Sequence, residues 1–206
     1  MKSDPSPKNR ASEDHWLDAA YDILTEGGVE AVKIMPLAKR LGVSRTGFYW
    51  HFKDRDALLE AMVQRWELKN SGNLIARTEA YADSLAEAMF NLFDCWLDSD
   101  LFDAKLDLAI RNWARVDSDL QMRLDRSDQS REDAVAAMFC RFGHSQNQAR
   151  VRARTVMYTQ IGYLSMRVKE DLSTRLGQMP QYVEVFTGEP PSEAETQRFL
   201  SRHNQQ

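Results

Sequence analysis

The feature that most constrains this chain is a glycine between two short helical patterns. The apolar positions recur at helical spacing on both sides of it: Leu37, Ala38 and Leu41 before, Phe48 and Phe52 after. Gly42 stands where a helix ends in a left-handed conformation that glycine adopts without strain. Ser44 stands where the next helix begins, with a hydroxyl that can accept a backbone N–H of the first turn. Together these residues predict two helices joined by a tight corner, which is the helix-turn-helix arrangement.

The other face of the second predicted helix is basic and aromatic. Residues 33–55 contain six Lys or Arg and one Asp, a local charge of +5, whereas the whole chain carries −4. A positive patch on an acidic protein indicates contact with a polyanion at that place. Arg45 and Thr46 can reach base edges in a major groove, while Tyr49 and the flanking cations hold phosphates. The pattern therefore predicts binding to double-stranded DNA.

The same stretch resembles the helix-turn-helix signature of the tetracycline-repressor-like (TetR) family of transcriptional regulators. The resemblance covers residues 12–66 and rests on Gly42-Val43-Ser44-Arg45, Phe48-Tyr49-Trp50-His51-Phe52 and Leu58-Leu59. By analogy, Trp50 and His51 match the groove-facing end of the recognition helix, and Arg55 matches a basic residue that holds phosphate. Lys33 stands where the family usually has a Ser or Thr cap. The predicted DNA-binding residues are Lys33, Ser44, Arg45, Thr46, Tyr49, Trp50, His51, Lys53 and Arg55.

Helical patterns fill the rest of the chain, and the sequence shows no strand pattern. We predict an all-α protein with a flexible N-terminal arm at residues 1–11 and a three-helix, helix-turn-helix DNA-binding domain at residues 12–71. A helical ligand-sensing and dimerisation domain follows at residues 72–206. The boundary is placed at Ser71-Gly72-Asn73, where small and polar residues interrupt the helical period. A helix that begins after Asp54 is expected to link the two domains.

Capping signals place several other helix starts. Ser12 is expected to cap the first helix. Ser145 with Gln148, and Ser192 with Glu195, read as capping boxes for two later helices. The apolar spacing further predicts one uninterrupted helix over residues 75–97 and a short one over residues 179–187.

Large side chains of the second predicted domain are candidates for a ligand pocket. They are Met89, Phe93, Trp96, Trp113, Phe139 and Tyr158. Aromatic and methionine residues at helical spacing usually pack in a core, so plain core packing is the alternative for each of them. The family resemblance implies a pocket for a small-molecule effector, and pockets between bundle helices are physically normal.

The helix predicted from Ser145 to Lys169 is apolar most of the way round. A helix of that kind is buried on two sides, so one side can face its own domain and the other a second subunit. We therefore predict a homodimer, and Gly162 would let the partner's backbone approach closely. The predicted interface residues are Val156, Tyr158, Ile161, Gly162 and Tyr163.

The sequence carries no catalytic or metal-binding pattern. Its four histidines lack metal-ligand spacing, and neither a phosphate-binding loop nor a nucleophile elbow is present. Cys95 and Cys140 are far apart among apolar neighbours, which favours two reduced core thiols in a cytoplasmic protein. No apolar run reaches the length of a membrane span. We therefore predict no enzyme activity, no cofactor, no metal and no membrane partner.

The prediction as a whole is a ligand-responsive transcriptional repressor that binds a palindromic DNA operator as a dimer and is released by a small molecule. The alternative is a helical interaction or adaptor protein whose helix-turn-helix does not read DNA. A helical enzyme that uses a cavity of the second domain is a third, more remote reading. Salt-dependent binding of a palindromic duplex would separate the first two.

Overall fold

The computed structural model describes residues 11–203, and every regular element in that part of the chain is helical. This confirms the predicted all-α class. The α-helices are α1 (Glu13–Gly27), α2 (Ile34–Leu41), α3 (Arg45–Phe48), α4 (Arg55–Trp66), α5 (Asn73–Glu79), α6 (Leu85–Leu97), α7 (Ala104–Ala114), α8 (Ser118–Arg141), α9 (Gln146–Ser165), α10 (Leu172–Thr187) and α11 (Glu193–His203). A 3₁₀ turn occupies Val29–Ala31, and a π-helical segment occupies Glu67–Gly72. The predicted arm lies outside the described residues except for Ala11.

The chain forms two compact units. The first unit contains the chain up to Glu67 together with Lys105–Gln121, and the second unit contains Leu68–Ala104 together with the chain from Met122 onward. Packing thus groups α7 with the N-terminal helices, whereas the predicted domains divide the chain once, after residue 71. Within the first unit, the indole N–H of Trp66 donates to a carboxylate oxygen of Asp107 at 2.9 Å, and both side chains are buried. A functional division between DNA binding and ligand sensing stays a prediction.

The core of the first unit is built on the apolar stripe of α1. Ser12 caps this helix by accepting the backbone N–H of His15, as predicted. Trp16 is completely buried and meets the ring of Phe48 edge-on, with the ring centroids 5.4 Å apart. The hydroxyl of Tyr21 donates to the carbonyl oxygen of Met62 at 2.8 Å, which ties α1 to α4.

The polar stretch around residue 72 does not end a helix, so that prediction was wrong. The π-helical segment joins α4 to α5, and Gly72 keeps helical angles of φ −60° and ψ −48°. Asn70 is buried, and its amide exchanges two 3.0 Å hydrogen bonds with the backbone of Asp103. Ser71 accepts from the Nε of Arg131 at 2.9 Å. Asn70 and Ser71 are therefore buried and hydrogen-bonded, and they do not form a solvent-exposed break between helices. Buried polar groups are normally paired in this way.

The helical break falls instead between Glu79 and Leu85. The helix predicted over residues 75–97 is therefore two helices, α5 and α6, and Ser84 caps the second of them by accepting the backbone N–H of Glu87. The side chain of a capping serine competes with helical backbone bonds, which favours a new start at that position.

The second unit is organised around α6, with α8, α9, α10 and α11 contributing to one apolar core. The capping boxes at Ser145 and Ser192 are present, as predicted. By contrast, α10 begins at Leu172, seven residues before its predicted start, and it contains Pro180. Proline removes one helical hydrogen bond, but burial of Leu176 and Val183 on either side offsets that loss.

The two cysteines have different surroundings, which corrects the prediction of two core thiols. Both are free thiols. Cys95 is buried, and burial raises the pKa of its thiol to about 12. Cys140 is exposed on α8. None of the helices in the described part of the chain combines the length and the apolarity that crossing a bilayer requires.

Candidate nucleic-acid interface

The corner between α2 and α3 has the geometry predicted from its glycine. Gly42 adopts φ 65° and ψ 27°, the left-handed region that other residues enter at a cost. The N–H of Val43 donates to the carbonyl oxygen of Ala38 at 3.0 Å. This bond gives a partner to one of the last backbone carbonyls of α2. Leu37 and Ala38 are buried, so the corner is anchored in the core of the first unit.

The second helix of the motif is short. It spans four residues, Arg45–Phe48, and the chain then turns through residues 49–51 before α4. Phe48 and Phe52 are both buried with ring centroids 5.4 Å apart, which confirms the apolar face predicted from their spacing. Ser44 occupies the capping position in an extended conformation, but within the described residues its hydroxyl makes no capping hydrogen bond. The predicted capping bond is therefore wrong, and the exposed hydroxyl can meet a partner instead.

Arg45, Thr46, Tyr49 and Trp50 are all exposed, and they form what we call the recognition face. The hydroxyl of Tyr49 accepts from the Nε and Nη2 of Arg45 at 3.3 and 2.7 Å. The guanidinium carbon of Arg45 also lies 5.5 Å from the centroid of the Tyr49 ring, so the arginine rests on the tyrosine. Trp50 is 80% exposed, and a large apolar side chain in solvent usually marks a contact surface.

Three other predicted residues border the recognition face. Lys33 and Lys53 are exposed, one before α2 and the other just before α4. His51 is exposed too, and its Nε2 lies at hydrogen-bond distance, 2.9 Å, from the carbonyl oxygen of Ala11. This contact joins the end of the recognition face to the segment that precedes α1.

Arg55 has a structural role that its sequence position did not reveal. Its Nε and Nη2 each donate at 2.6 Å, to the carbonyl oxygens of Val32 and Val29 respectively. These carbonyls belong to the 3₁₀ turn and its end, and that of Val29 also accepts the backbone N–H of Val32 at 3.1 Å. Arg55 therefore holds the first turn of α4 against the connection that leads into α2. A phosphate contact through its remaining N–H groups stays a prediction.

Arg40 contributes less to the positive patch than its charge suggests. Its guanidinium donates to both carboxylate oxygens of Glu26, at 2.8 and 2.7 Å, and lies 3.6 Å from Asp22. The hydrogen bond from Arg40 lowers the pKa of the Glu26 carboxyl, so this pair stays ionised near neutral pH. The pair links α1 to α2 on the surface and leaves the charge of the recognition face to Arg45 and the neighbouring lysines.

The structure does not bring the six predicted pocket residues together. Phe93 and Trp96 line a cavity of the second unit. Met89 and Phe139 are fully buried core residues, which agrees with the alternative prediction of plain core packing. Trp113 lies in the first unit and donates to Asp117 at 3.1 Å. Tyr158 is 62% exposed.

The cavity has a volume of about 50 Å³ and is partly open to solvent. From α9 it is lined by Val156, Thr159, Gln160 and Tyr163, and from α10 by Arg175, Gln178, Met179, Tyr182 and Phe186. Glu170, between these helices, completes the wall. Residues 179–187 were predicted to be helical, but no residue of α10 was named as a pocket candidate. The repeat of Met179, Tyr182 and Phe186 at three- and four-residue spacing was the available signal.

The five predicted interface residues also differ in exposure. Val156 is buried against the core, and Ile161, Gly162 and Tyr163 are half-buried. Tyr163 donates to Glu170 at 3.2 Å, and burial raises the pKa of its hydroxyl. Of the five, Tyr158 alone presents a large apolar surface to solvent in the described structure.

Comparison with known proteins agrees with this geometry. Residues 17–62 match the family of bacterial regulatory proteins described as the tetR family. Over 144 residues the chain is 28% identical to the tetracycline repressor protein class A from transposon 1721 of Escherichia coli, an alignment covering 70% of this chain and 61% of that protein. It is 25% identical over 154 residues to the Escherichia coli tetracycline repressor protein class C, covering 75% and 65%. The chain thus matches less than two thirds of the length of these relatives.

The likeness in fold extends over almost the whole chain. The solved structure of the fatty acid degradation regulator FadR from Bacillus halodurans superposes with a TM-score of 0.64 at 16% identity, covering 90% of this chain and 97% of that one. The tight corner at Gly42, anchored by the buried Leu37 and Ala38, and the exposed face of α3 define a helix-turn-helix. Residues 17–62, which hold this motif, resemble the tetR family of bacterial regulatory proteins, as the sequence predicted.

Proposed function

We propose that this protein is a sequence-specific DNA-binding regulator that represses transcription from a palindromic operator. The observation that carries the proposal is the recognition face, where Arg45 and Thr46 are exposed on the second helix of a helix-turn-helix. In this motif the second helix lies in the major groove with its N-terminal residues at the base edges. The two relatives are both tetracycline repressor proteins, which supports repression rather than activation.

Each exposed residue has a chemical task in this proposal. Arg45 donates two N–H groups to a guanine edge, and Thr46 contacts a neighbouring base. The free hydroxyl of Ser44 and the ammonium groups of Lys33 and Lys53 contact phosphates, which set register and affinity but carry no sequence information. The aromatic ring of Trp50 packs against the sugar–phosphate backbone beside them.

A dimer is the proposed DNA-binding species. Val151 and Tyr158 are exposed by more than 60% and stand seven residues apart, so they share one face of α9. Val185 on α10 is exposed to a similar degree and lies with Val151 beside one groove. Apolar side chains clustered in this way support burial against a second copy. Two-fold symmetry would set two recognition helices about 34–36 Å apart, one turn of DNA.

Ligand response is the remaining part of the proposal. A small molecule in the cavity of the second unit would favour a conformation with a different spacing of the two recognition helices. The ligand shifts this equilibrium by its difference in affinity for the two conformations, and the population leaves the DNA. Binding to operator DNA places the proposed site of action in the cytoplasm.

Selection of duplexes from a random pool tests the proposal. We expect enrichment of a palindrome whose half-sites are centred one helical turn apart, with affinity that falls steeply as salt rises. Arg45→Ala should relax the preference at one base per half-site by about 1–3 kcal/mol, because a bidentate contact is lost. Arg115→Ala, an exposed arginine of the first unit outside the motif, is the matched control. If the selection enriches no sequence, the alternative of an adaptor protein whose helix-turn-helix does not read DNA would be favoured.

A further inference from the structure

We propose that His51 contacts a DNA phosphate only when its imidazole is protonated, so that DNA binding takes up a proton in each subunit. The proposal rests on the DNA-binding function proposed above and names a regulation of that same site. It makes pH, and not only a small molecule, a determinant of how much of the protein is bound to DNA.

The hydrogen bond of the His51 ring determines which of its nitrogens carries hydrogen in the neutral form. Its Nε2 lies 2.9 Å from the carbonyl oxygen of Ala11. A carbonyl oxygen can only accept, so Nε2 is the donor. In the neutral imidazole the other nitrogen, Nδ1, then has a lone pair and no hydrogen. The side chain is exposed, and Nδ1 makes no hydrogen bond to the described residues.

Nδ1 can bind a phosphate only in the charged form of the ring. Phosphate oxygens are acceptors, so a neutral Nδ1 would meet them with its lone pair and would be repelled. A proton taken from solvent makes Nδ1 a second donor and keeps the bond from Nε2 to Ala11. The imidazolium can therefore join the protein backbone to the DNA backbone, through a charge-assisted hydrogen bond of the stronger class.

The position of His51 favours a phosphate over a base. Base contacts in this motif come from the N-terminal residues of the second helix, here Arg45 and Thr46. His51 lies beyond the end of that helix at Phe48 and two residues before the exposed Lys53. The basic surroundings suit the phosphate backbone, which attracts cations whatever the base sequence.

The carboxylates on the neighbouring elements do not neutralise this ring. Asp14, in the first turn of α1, lies 3.6 Å from Arg65, and Asp54 caps α4 by accepting the backbone N–H of Ala57. Among the described residues, no carboxylate forms an ion pair with His51. The titratable and charged groups of the elements around it are Glu13, Asp14 and His15 of α1, Arg45 and Tyr49 of the recognition face, and Lys53, Asp54, Arg55 and Asp56 at the start of α4.

His203 shows what a histidine with an anionic partner in the protein looks like. Its Nε2 lies 2.8 Å from a carboxylate oxygen of Asp94, and both side chains are buried. His51 bonds to a neutral carbonyl instead, and its other nitrogen faces solvent. The charge of His51 therefore has to find its anion outside the described part of the protein, and DNA supplies one.

The experiment measures the affinity of the unaltered protein for duplex DNA from about pH 8 to about pH 6 at constant ionic strength, the range in which histidine changes charge. The duplexes are the selected operator and a scrambled sequence of the same length, because phosphate contacts form on both. We expect affinity to rise as pH falls, by about tenfold per subunit, the value of a charge-assisted hydrogen bond. The salt slope should be steeper at the acidic end by about 0.9 per subunit. Calorimetry in two buffers of different ionisation enthalpy counts the protons taken up.

His51→Gln keeps an N–H donor for the carbonyl of Ala11 but cannot become charged. We expect this variant to match the unaltered protein at the alkaline end of the range and to gain no affinity on acidification. His51→Lys is charged throughout the range, so its affinity should be high at both ends and independent of pH. The lysine variant also decides if the glutamine variant does not fold.

His15→Gln is the matched control, because His15 is the other histidine of the first unit and is also exposed. His15 completes the capping box of α1 with Ser12, and glutamine is an ordinary residue at that position of a capping box. This control should keep the whole pH dependence. If it loses the dependence instead, the proton belongs to His15 and the proposal is wrong.

The two duplexes separate this proposal from the proposed function. Selection of a palindrome with an affinity that stays constant or falls on acidification would refute the protonated contact and leave the regulator standing. Conversely, if no palindrome is enriched but the scrambled duplex is bound more tightly at low pH, and His51→Gln removes that gain, the regulator fails and the protonated contact stands. A protein that binds neither duplex would overturn both.

Discussion

Two arginine–tyrosine pairs with nearly equal distances between guanidinium and ring occupy different surroundings in this protein. On the recognition face, Arg45 rests on Tyr49, and in the cavity wall Arg175 rests on Tyr163, with centroid distances of 5.5 and 5.3 Å. In the first pair the tyrosine accepts from its arginine and both side chains are exposed. In the second pair the two groups bond to other parts of the wall, Glu170 among them.

The difference lies in what each pair leaves available. The Nε and Nη2 of Arg45 share the Tyr49 hydroxyl, and the remaining N–H groups of this exposed side chain are open to a DNA base. In the cavity wall, the Nη2 of Arg175 donates to the carbonyl oxygen of Trp96 and the Tyr163 hydroxyl donates to Glu170, so both members of this pair are engaged by other groups of the wall. The first surface suits a charged polymer in water, whereas the second is a half-buried wall whose polar groups bond to one another.

The largest expected effect is a loss of stability from a substitution in the apolar core behind the recognition face. Phe48→Ala should lower the free energy of unfolding by about 3–5 kcal/mol, because it opens a cavity between the rings of Trp16 and Phe52. Trp50→Ala, two residues further on and exposed, should stay within about 0.5 kcal/mol of the unaltered protein. Denaturant titration measures both. Similar losses from the two substitutions would mean that the exposed and buried sides of the motif are wrongly assigned.

Two substitutions of intermediate effect distinguish a structural role from a DNA contact for the cations Arg55 and Lys53. Arg55→Ala should lower the free energy of unfolding by about 1–3 kcal/mol, since it removes the donors to the carbonyls of Val29 and Val32. Lys53→Ala should leave stability unchanged and reduce the salt slope of operator binding by about one.

If Arg55→Ala leaves the free energy of unfolding unchanged, the structural role of Arg55 would be wrong and its predicted phosphate contact would be favoured. A variant that unfolds normally but loses one unit of salt slope would make Arg55 a phosphate contact, as the family resemblance implied. Measuring stability and salt dependence on the same preparation keeps the two effects apart.

Features that local physics determines were predictable from the sequence. The conformation of Gly42, the cap at Ser12, and the shared face of Phe48 and Phe52 each depend on residues within four positions of one another. Short-range rules held at these positions, although the capping bond predicted at Ser44 is absent among the described residues. They sufficed for the helix-turn-helix and for the residues that point outward from it.

Features that depend on distant partners were not predictable in this way. Asn70 looks like a helix breaker until Asp103, 33 residues away, supplies its hydrogen bonds. Arg55 looks like a free cation until the carbonyls of the 3₁₀ turn are in place. The cavity wall was predicted in Phe93 and Trp96 but not in α10, although residues 179–187 were predicted to be helical. Residues that meet from separate helices share no local pattern that would group them.

The smallest expected effects come from substitutions of the two tyrosines, Tyr49 and Tyr163. Tyr49→Phe keeps the ring under Arg45 but removes the hydroxyl that accepts from its Nε and Nη2. The arginine becomes less well oriented, so discrimination at its base should weaken by about 0.5–1 kcal/mol, the net worth of a neutral-acceptor hydrogen bond at an exposed site. Tyr163→Phe should leave operator affinity without ligand unchanged and alter only the binding of compounds to the cavity. Competition with single-base operator variants measures the first effect. If Tyr163→Phe weakens operator binding as much as Tyr49→Phe does, the contrast between an open pair and a closed one fails, because both hydroxyls would then act through the stability of the fold.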